Sequence, residues 1–201
     1  MTAENIYPIF DTLLQTEDKE ERLKQRAYVI WMVGLSGSGK STLARALENT
    51  LHEQGFLTQL LDGDNLRVGI NNNLGFSEED RKENIRRAAE TAKLFAKCGV
   101  VTICSMISPT EEIRCMAREI VGDRYFEVFV SCSVEECERR DVKGLYAKAR
   151  AGEIKNFTGI DSPFEEPQTA DLVVSTDKEP LEESHRKLVE AVLEKIKYEV
   201  E

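Results

Sequence analysis

Apolar and polar positions follow two alternating rhythms along the chain. Short apolar runs rich in β-branched and aromatic residues are typical of buried strands, and they predict strands at 28–33, 56–61, 100–106, 125–131 and 172–175. Between them, apolar residues recur every three or four positions and predict helices at 42–54, 78–98, 111–121 and 181–198. Strands joined by crossover helices favour a parallel sheet with right-handed connections. The pattern therefore predicts a three-layer α/β fold, a parallel five-stranded sheet with helices on both faces.

The length and composition fit one domain. With 201 residues and 41% hydrophobic content, the chain can bury one sizeable core and is short for two, so a single domain over 1–201 is expected. Residues 1–27 form an N-terminal extension with one predicted helix, for packing or for a dimer contact. No apolar stretch approaches the roughly 20 residues that span a bilayer, and the polar start is unlike a signal peptide. We expect a cytoplasmic protein with no membrane partner.

The net charge of −10 disfavours a nucleic-acid partner, because neutralising phosphates requires an excess of basic residues. The five cysteines contain no C-x-x-C pair and mostly fall in apolar segments, which indicates reduced core thiols, with a regulatory disulfide as the alternative. His52 and His185 lack metal-ligand spacing and are expected to be solvated. Trp31, inside the first predicted strand, is expected in the core.

The first predicted strand runs directly into a phosphate-binding loop of the pattern G-x-x-x-x-G-K-S. Glycines let successive backbone N–H groups point at a polyphosphate, and the following helix adds its positive dipole end. Lys40 can reach the β- and γ-phosphates of ATP, and Ser41 can bind Mg²⁺. The predicted ATP-binding residues are Gly34, Ser36, Gly37, Ser38, Gly39, Lys40, Ser41 and Thr42.

Two carboxylates, Asp62 and Asp64, follow the second predicted strand. Ligands of parallel α/β sheets bind at the carboxyl ends of the strands, so both should lie beside the phosphate loop. A kinase needs one carboxylate to accept the hydroxyl proton and often another to hold metal-bound water. A plain turn is the alternative interpretation of this D-G-D sequence.

The helix predicted at 78–98 begins after Ser77, a favourable N-cap residue. Arg81 and Asn84 lie three residues apart and share a helix face, near first turns that we expect to be exposed and free to meet an anion. On this pattern alone, a solvated helix face explains the two residues equally well.

Further motifs give the chain a resemblance to the adenylyl-sulfate kinase family. The matching stretches fall within about 28–177 and comprise the phosphate loop, 62–67, 75–76 with 81–87, 107–109, and DVKGLYAKARAGEIKNFTGIDS at 141–162. The resemblance implies a P-loop kinase fold that uses ATP and Mg²⁺ in sulfate assimilation. It implies transfer of the γ-phosphoryl group of ATP to the ribose 3′-hydroxyl of adenosine 5′-phosphosulfate (APS), giving the 3′-phosphorylated sulfonucleotide and ADP.

The resemblance also implies how the acceptor is bound. Phe76 and Phe157 match an aromatic pair that sandwiches the adenine, where both rings contribute stacking. Basic and amide side chains match residues that hold the phosphosulfate and the ribose, for which planar guanidinium donors are well suited. The predicted substrate-binding residues are Asp64, Asn65, Arg67, Phe76, Arg81, Asn84, Ile107, Ser108, Lys143 and Phe157.

Asp64, Lys40 and Ser108 are the catalytic candidates, and Ser41 and Asp62 the metal candidates. We expect Asp64 to orient or deprotonate the 3′-hydroxyl and Asp62 to contact Mg²⁺ through water, while Lys40 offsets charge on the transferred group. The resemblance allows Ser108 to be a transient phosphate acceptor. Direct in-line transfer is favoured, because no His or other base lies next to Ser108 in sequence to activate its hydroxyl.

Residues 141–161 combine helix formers, four basic side chains and three glycines, and we interpret them as a lid over both nucleotides. Closure would exclude water, which otherwise competes as the phosphoryl acceptor. A plain basic surface helix is the alternative. The resemblance further implies a homodimer and a possible ATP sulfurylase partner.

After Pro109 the sequence departs from the familiar family pattern, because residues 110–114 read T-E-E-I-R. This departure leaves room for a related acceptor, such as another small adenosine or cytidine phosphate derivative. A regulatory protein without transferase activity is the second alternative, although it would have less reason to retain Lys40, Asp62 and Asp64 together. No N-K-x-D motif is present, which argues against a GTPase.

Overall fold

Residues 5–198 are described by the structure, a computed structural model. Its strands are β1 (Val29–Val33), β2 (Thr58–Asp62), β3 (Val101–Ser105), β4 (Tyr125–Ser131) and β5 (Leu172–Ser175). Its helices are α1 (Thr16–Leu23), α2 (Lys40–Glu53), α3 (Gly63–Val68), α4 (Glu78–Ala96), α5 (Glu111–Val121), α6 (Val134–Arg140), α7 (Leu145–Arg150) and α8 (Leu181–Ile196), with a short 3-10 helix at Phe10–Thr12. Among these residues, no helix has both the length and the apolar composition needed to cross a bilayer.

All five strands are parallel, in the order β2-β3-β1-β4-β5. On one face, the alanine-rich side of α4 packs with α5 against Trp31 and Cys104. On the other, the leucines of α2 and the aliphatic side chains of α8 pack against Ile30, Met32 and Ile103. The predicted three-layer α/β fold is therefore confirmed.

The predicted strands 125–131 and 172–175 and the predicted helix 111–121 agree with the structure to the residue. Helix α2 starts two residues earlier than predicted because the phosphate loop turns into it at Gly39. Helices α3 and α6 were not predicted, since six or seven residues are too few to display a helical period. The plain-turn interpretation of D-G-D is wrong, because Asp62 caps α3 by accepting a hydrogen bond from the Asp64 backbone N–H.

The end of the N-terminal extension packs on the domain. Glu20 is buried and accepts a hydrogen bond of 2.6 Å from the Ala27 backbone N–H, and the Gln25 side chain donates to the carbonyls of Leu57 and Gly99. Residues 6–14 instead expose several large apolar side chains. Residues 1–4 of the predicted extension, and 199–201 of the predicted domain, lie outside the described residues.

Three cysteines are buried, as expected, whereas Cys98 and Cys115 are exposed, and all five thiols are free. His52 is exposed as expected. The expectation for His185 is wrong: it is half-buried, with Nε2 3.2 Å from Thr50 Oγ1, because α8 packs on α2. Trp31 is fully buried, which confirms its expected place in the core.

Candidate active site

A cleft of about 670 Å³ opens at the carboxyl edge of the sheet. It brings together the phosphate loop that follows β1, Asp62 at the end of β2, the loop that follows β3, the start of α4 and residues 141–158. The predicted site residues that line it are Ser36, Gly37, Gly39, Lys40, Ser41, Thr42, Asp62, Asp64, Arg67, Phe76, Arg81, Asn84, Ile107, Ser108, Lys143 and Phe157.

Three predicted residues do not line the cleft. Ser38 is a fully buried residue of the loop, and a Cβ on Gly34 would stand 2.5 Å from the Val130 carbonyl oxygen, so both pack against the domain. Asn65 is exposed, because one step along α3 turns it about 100° away from Asp64.

The phosphate loop is held open by its backbone. Gly37 and Gly39 have φ values of 79° and 98°, a left-handed region that favours glycine. The first N–H groups of α2 are thereby presented at a helix N-terminus that attracts phosphate. Lys40 Nζ donates to the Leu35 carbonyl at 2.6 Å, and burial lowers the pKa of the Lys40 ammonium from 10.5 to about 8. Burial removes the hydration that stabilises this ammonium. The negative charge of an incoming phosphate would stabilise it instead.

Side chains behind the loop fix its shape. Arg140 donates to the carbonyls of Gly37 (3.3 Å) and Thr176 (2.7 Å), and Thr176 Oγ1 donates to the Ser38 carbonyl at 2.7 Å. Tyr146 Oη donates to the Ser36 carbonyl at 2.8 Å. Sequence reasoning missed Arg140 and Thr176. The position of Thr176, directly after the last strand at the carboxyl edge, was the available signal.

Ser41 and Asp62 meet at the base of the cleft. Ser41 Oγ donates to Asp62 Oδ2 at 2.8 Å, and Asp62 Oδ1 accepts from the Asp64 N–H at 3.0 Å, so the cap of α3 also fixes this carboxylate. Among residues 5–198 there is no group of three or more His, Cys, Asp or Glu side chains placed to hold a metal. One hydroxyl and one carboxylate suit Mg²⁺, which keeps several waters and takes other ligands from phosphates.

Asp64 lies on α3 and forms an ion pair with Lys143, and both residues line the cleft. The two side chains are 69% and 56% exposed. An exposed pair of this kind contributes little stability, roughly 0–1 kcal/mol. Both groups are therefore available to a ligand entering between them.

Phe76 and Arg67 form the outer wall of the cleft. The guanidinium carbon of Arg67 lies 4.5 Å from the centroid of the Phe76 ring, and Arg67 donates to the carbonyls of Leu74 and Gly75. These bonds hold the cation in place, while burial lowers the pKa of the Arg67 guanidinium. The Phe76 side chain remains 64% exposed, so its ring can stack on a planar ligand.

The expectation that Arg81 and Asn84 are exposed is wrong. Arg81 is half-buried and donates to the Phe76 carbonyl, to Thr158 Oγ1 at 2.5 Å and to the Asn156 carbonyl. Asn84 is only 5% exposed, and its Oδ1 accepts from Asn71 Nδ2 at 3.0 Å. The reason is that residues 69–75 and 156–158 fold over the first turns of α4. Both side chains nevertheless line the cleft.

Ser108 lies at the bottom of the cleft and is only 1% exposed. Its Oγ accepts a hydrogen bond of 3.0 Å from Trp31 Nε1, and its carbonyl accepts one of 3.2 Å from Arg114. Burial and this hydrogen bond make the hydroxyl a poor nucleophile.

Residues 141–158 of the segment predicted as a lid contribute to the lining of the cleft. Helix α7 has only six residues, and Asp141 accepts hydrogen bonds from the Tyr146 and Ala147 backbone N–H groups. Phe157 packs edge-on against Tyr146, with ring centroids 4.9 Å apart. Asp161 accepts from the Phe157 N–H at 2.5 Å. The role of this segment as a lid stays a prediction.

Comparison with known proteins identifies relatives of this chain. Residues 26–175 match the family model for adenylylsulphate kinase. The chain is 61% identical over 193 residues to an adenylyl-sulfate kinase of Bacteroides fragilis, covering 96% of each chain, and 53% identical over 187 residues to one of Clostridium acetobutylicum, covering 93% of this chain and 92% of that one.

Solved structures agree with these matches. An APS kinase of Mycobacterium tuberculosis in complex with AMPPNP and APS superposes with a TM-score of 0.80 at 47% identity, over 83% of this chain and 98% of that one. A hexameric APS kinase of Thiobacillus denitrificans gives a TM-score of 0.64 at 28% identity, over 85% of this chain and 29% of that one.

Proposed function

Because this chain belongs to the adenylylsulphate kinase family, we propose a role for each group of its cleft in the family reaction. That reaction is the ATP-dependent phosphorylation of APS at the ribose 3′-hydroxyl, which gives 3′-phosphoadenosine 5′-phosphosulfate and ADP in sulfate assimilation. The observation that carries the assignment of roles is the single cleft in which a phosphate loop, the aspartates and the Phe76 wall converge.

ATP binds at the phosphate loop. The N-terminal amides of α2 hold its β- and γ-phosphates, and Lys40 exchanges the Leu35 carbonyl for a phosphate oxygen. Ser41 and Asp62 would hold Mg²⁺, and their mutual hydrogen bond shows that they reach one point. Bound there, Mg²⁺ would offset the negative charge of the phosphates.

APS binds at the other end of the same cleft. Its adenine stacks between Phe76 and Phe157, which both line the cleft. Arg67 and Arg81 hold the phosphosulfate, whose oxygens suit guanidinium donors. Asn84 and the loop 107–108 contact the rest of the nucleoside.

The transfer itself takes place beside Asp64. Its carboxylate accepts the proton of the 3′-hydroxyl while the O3′–Pγ bond forms and the bond from Pγ to the ADP oxygen breaks. The proton then passes from Asp64 to solvent. Lys143, paired with Asp64 before substrate arrives, turns with Lys40 toward the phosphoryl oxygens, where positive charge stabilises the transition state.

The lid, residues 141–161, closes over both nucleotides and excludes water. Arg81 links helix α4 to the lid at Asn156 and near its end at Thr158. Binding of the acceptor to Arg81 therefore affects the position of the lid.

The protein works as a homodimer in the cytoplasm. The resemblance of motifs supports the dimer, and the hexameric relative makes the assembly size a quantity to measure. Sedimentation of the purified chain would show two copies per particle, and a monomer or hexamer would contradict this. A direct contact with an ATP sulfurylase stays a prediction of the resemblance.

A coupled assay of ADP release tests the function directly. With ATP, Mg²⁺ and APS, the chain should release ADP and form a product phosphorylated at the 3′ position, as identified by mass spectrometry. Adenosine and cytidine phosphates without sulfate serve as matched acceptors and should be turned over much more slowly. Equal or faster turnover of such an analogue would favour a different acceptor, and no ADP release with any acceptor would favour a regulatory protein.

A further inference from the structure

The loop 106–110 between β3 and α5 is unusual in how its carbonyls are bonded. Three successive carbonyls accept hydrogen bonds from three different parts of the protein. The Ile107 oxygen accepts from the Gly34 N–H of the phosphate loop (3.4 Å), the Ser108 oxygen from Arg114 of α5 (3.2 Å), and the Pro109 oxygen from the Glu165 N–H just beyond the lid (2.8 Å). The loop therefore joins the phosphate loop and α5 to the segment that follows the lid.

Ser108 has a left-handed backbone at the centre of this junction, with φ at 47°. A residue with a Cβ is disfavoured in that region, so neighbouring groups must hold it there. Trp31 Nε1 donates to its Oγ on one side, and Arg114 donates to its carbonyl on the other. Trp31 and Arg114 are 0% and 2% exposed and do not line the cleft themselves.

Arg114 does more than fill space in the core. One guanidinium nitrogen donates to the carbonyls of both Ser108 and Glu165 (3.2 and 2.8 Å), and another to the Glu111 carboxylate at 2.6 Å. The Glu111 N–H in turn donates to the Glu165 side chain at 2.7 Å. Burying a cation is costly, and an apolar residue of similar size often folds at least as well. We therefore attribute the buried Arg114 to the need to fix the conformation of the loop, and not to the stability of the core.

We propose that Trp31 and Arg114 are positioning residues for the acceptor nucleotide. They clamp Ser108 from both sides, so that Ile107 and Ser108 present a fixed surface to APS and the same loop is tied to the segment that follows the lid. This proposal rests on the assignment of APS to this end of the cleft. It also gives Ser108 a structural role instead of a covalent one.

Two conservative variants test the clamp by kinetics. Trp31→Phe keeps a ring but removes the N–H donor, and Arg114→Lys keeps the charge but replaces a planar fork by a single ammonium. Each should raise KM for APS by about three- to tenfold, since one or more hydrogen bonds that shape the loop are lost, while KM for ATP changes by less than about twofold.

Matched controls come from the same elements. Tyr125→Phe removes a polar group next to Trp31, and Arg118→Lys lies one turn further along α5 and pairs with Glu127 and Asp171 instead of the loop. Neither control should change KM for APS. Folded Trp31 and Arg114 variants with an unchanged KM for APS would overturn the proposal, and so would an equal rise of both KM values.

Fluorescence gives a readout that does not depend on kinase activity. Trp31 is the only tryptophan of the chain, so Ser108→Ala should shift its emission to shorter wavelength without any nucleotide, because the indole N–H loses its partner. Unshifted emission would mean that the hydrogen bond is absent in solution and would overturn the clamp. If Ser108→Ala shifts the emission but the wild-type chain does not turn over APS, the proposed function alone is contradicted.

Discussion

Replacing Asp64 by Asn separates catalysis from binding. The change keeps the shape of the side chain but removes the group that accepts the proton of the 3′-hydroxyl, and general-base catalysis typically contributes about 10²- to 10⁴-fold. The rate of the chemical step should fall by that factor, which corresponds to roughly 3–5 kcal/mol of activation free energy.

The structure predicts only a small effect of this variant on stability. Asp64 and its partner Lys143 are 69% and 56% exposed, so losing the pair should cost at most about 1 kcal/mol and lower Tm by less than about 4 °C. The cap of α3 is untouched, because Asp62 accepts from the backbone of residue 64. Since Asp62, which we assign to Mg²⁺, keeps its position, the affinity for Mg·ATP should be nearly unchanged.

Single-turnover measurements with excess enzyme isolate the chemical step, and titration with a non-hydrolysable ATP analogue gives the affinity. Glu79→Gln is a suitable control, since it removes an exposed carboxylate of α4 that does not line the cleft. The reasoning is refuted if Asp64→Asn slows the chemical step less than about threefold, or if it weakens ATP binding as strongly as it slows the step.

Three further predictions address the rest of the site. Phe76→Ala should raise KM for APS about 10- to 100-fold with KM for ATP unchanged, because one base-stacking contact is lost; equal changes in both would contradict the assigned wall. Asp161→Ala frees the backbone N–H groups of Asn156 and Phe157 and should raise the ratio of ATP hydrolysis to APS phosphorylation several-fold, whereas an unchanged ratio would remove the lid assignment. Since burial lowers the pKa of Lys40 to about 8, the ammonium is lost as pH rises through 8, and ATP affinity should fall between pH 7 and 9 in a titration; Lys40→Met should abolish that dependence.

Much of the architecture is readable from local pattern, because the strands are short apolar runs and the long helices have a clear period. Helices α3 and α6 escape this reasoning, since the signals that form them are a capping aspartate and tertiary contacts rather than periodicity. The phosphate loop sets the start of α2 at Lys40. A search for apolar periodicity places that start too late.

The site residues that belong to motifs could be predicted from the sequence. The burial and contacts that depend on tertiary packing could not. Lys40, Ser41 and the aspartates follow from their place after strands. The burial of Asn84 depends on Asn71, which reaches it from thirteen residues away, and the clamp on Ser108 joins Trp31 of β1 to Arg114 of α5. Contacts between distant segments of this kind leave no periodic trace in the sequence.

A crystal structure with a non-hydrolysable ATP analogue, Mg²⁺ and APS tests most directly whether two nucleotides meet in one cleft. We expect the triphosphate on the amides of the phosphate loop, the adenine of APS between Phe76 and Phe157, and its 3′-hydroxyl within hydrogen-bond distance of Asp64. If APS instead binds away from these two rings and from Asp64, the account of the transfer is wrong.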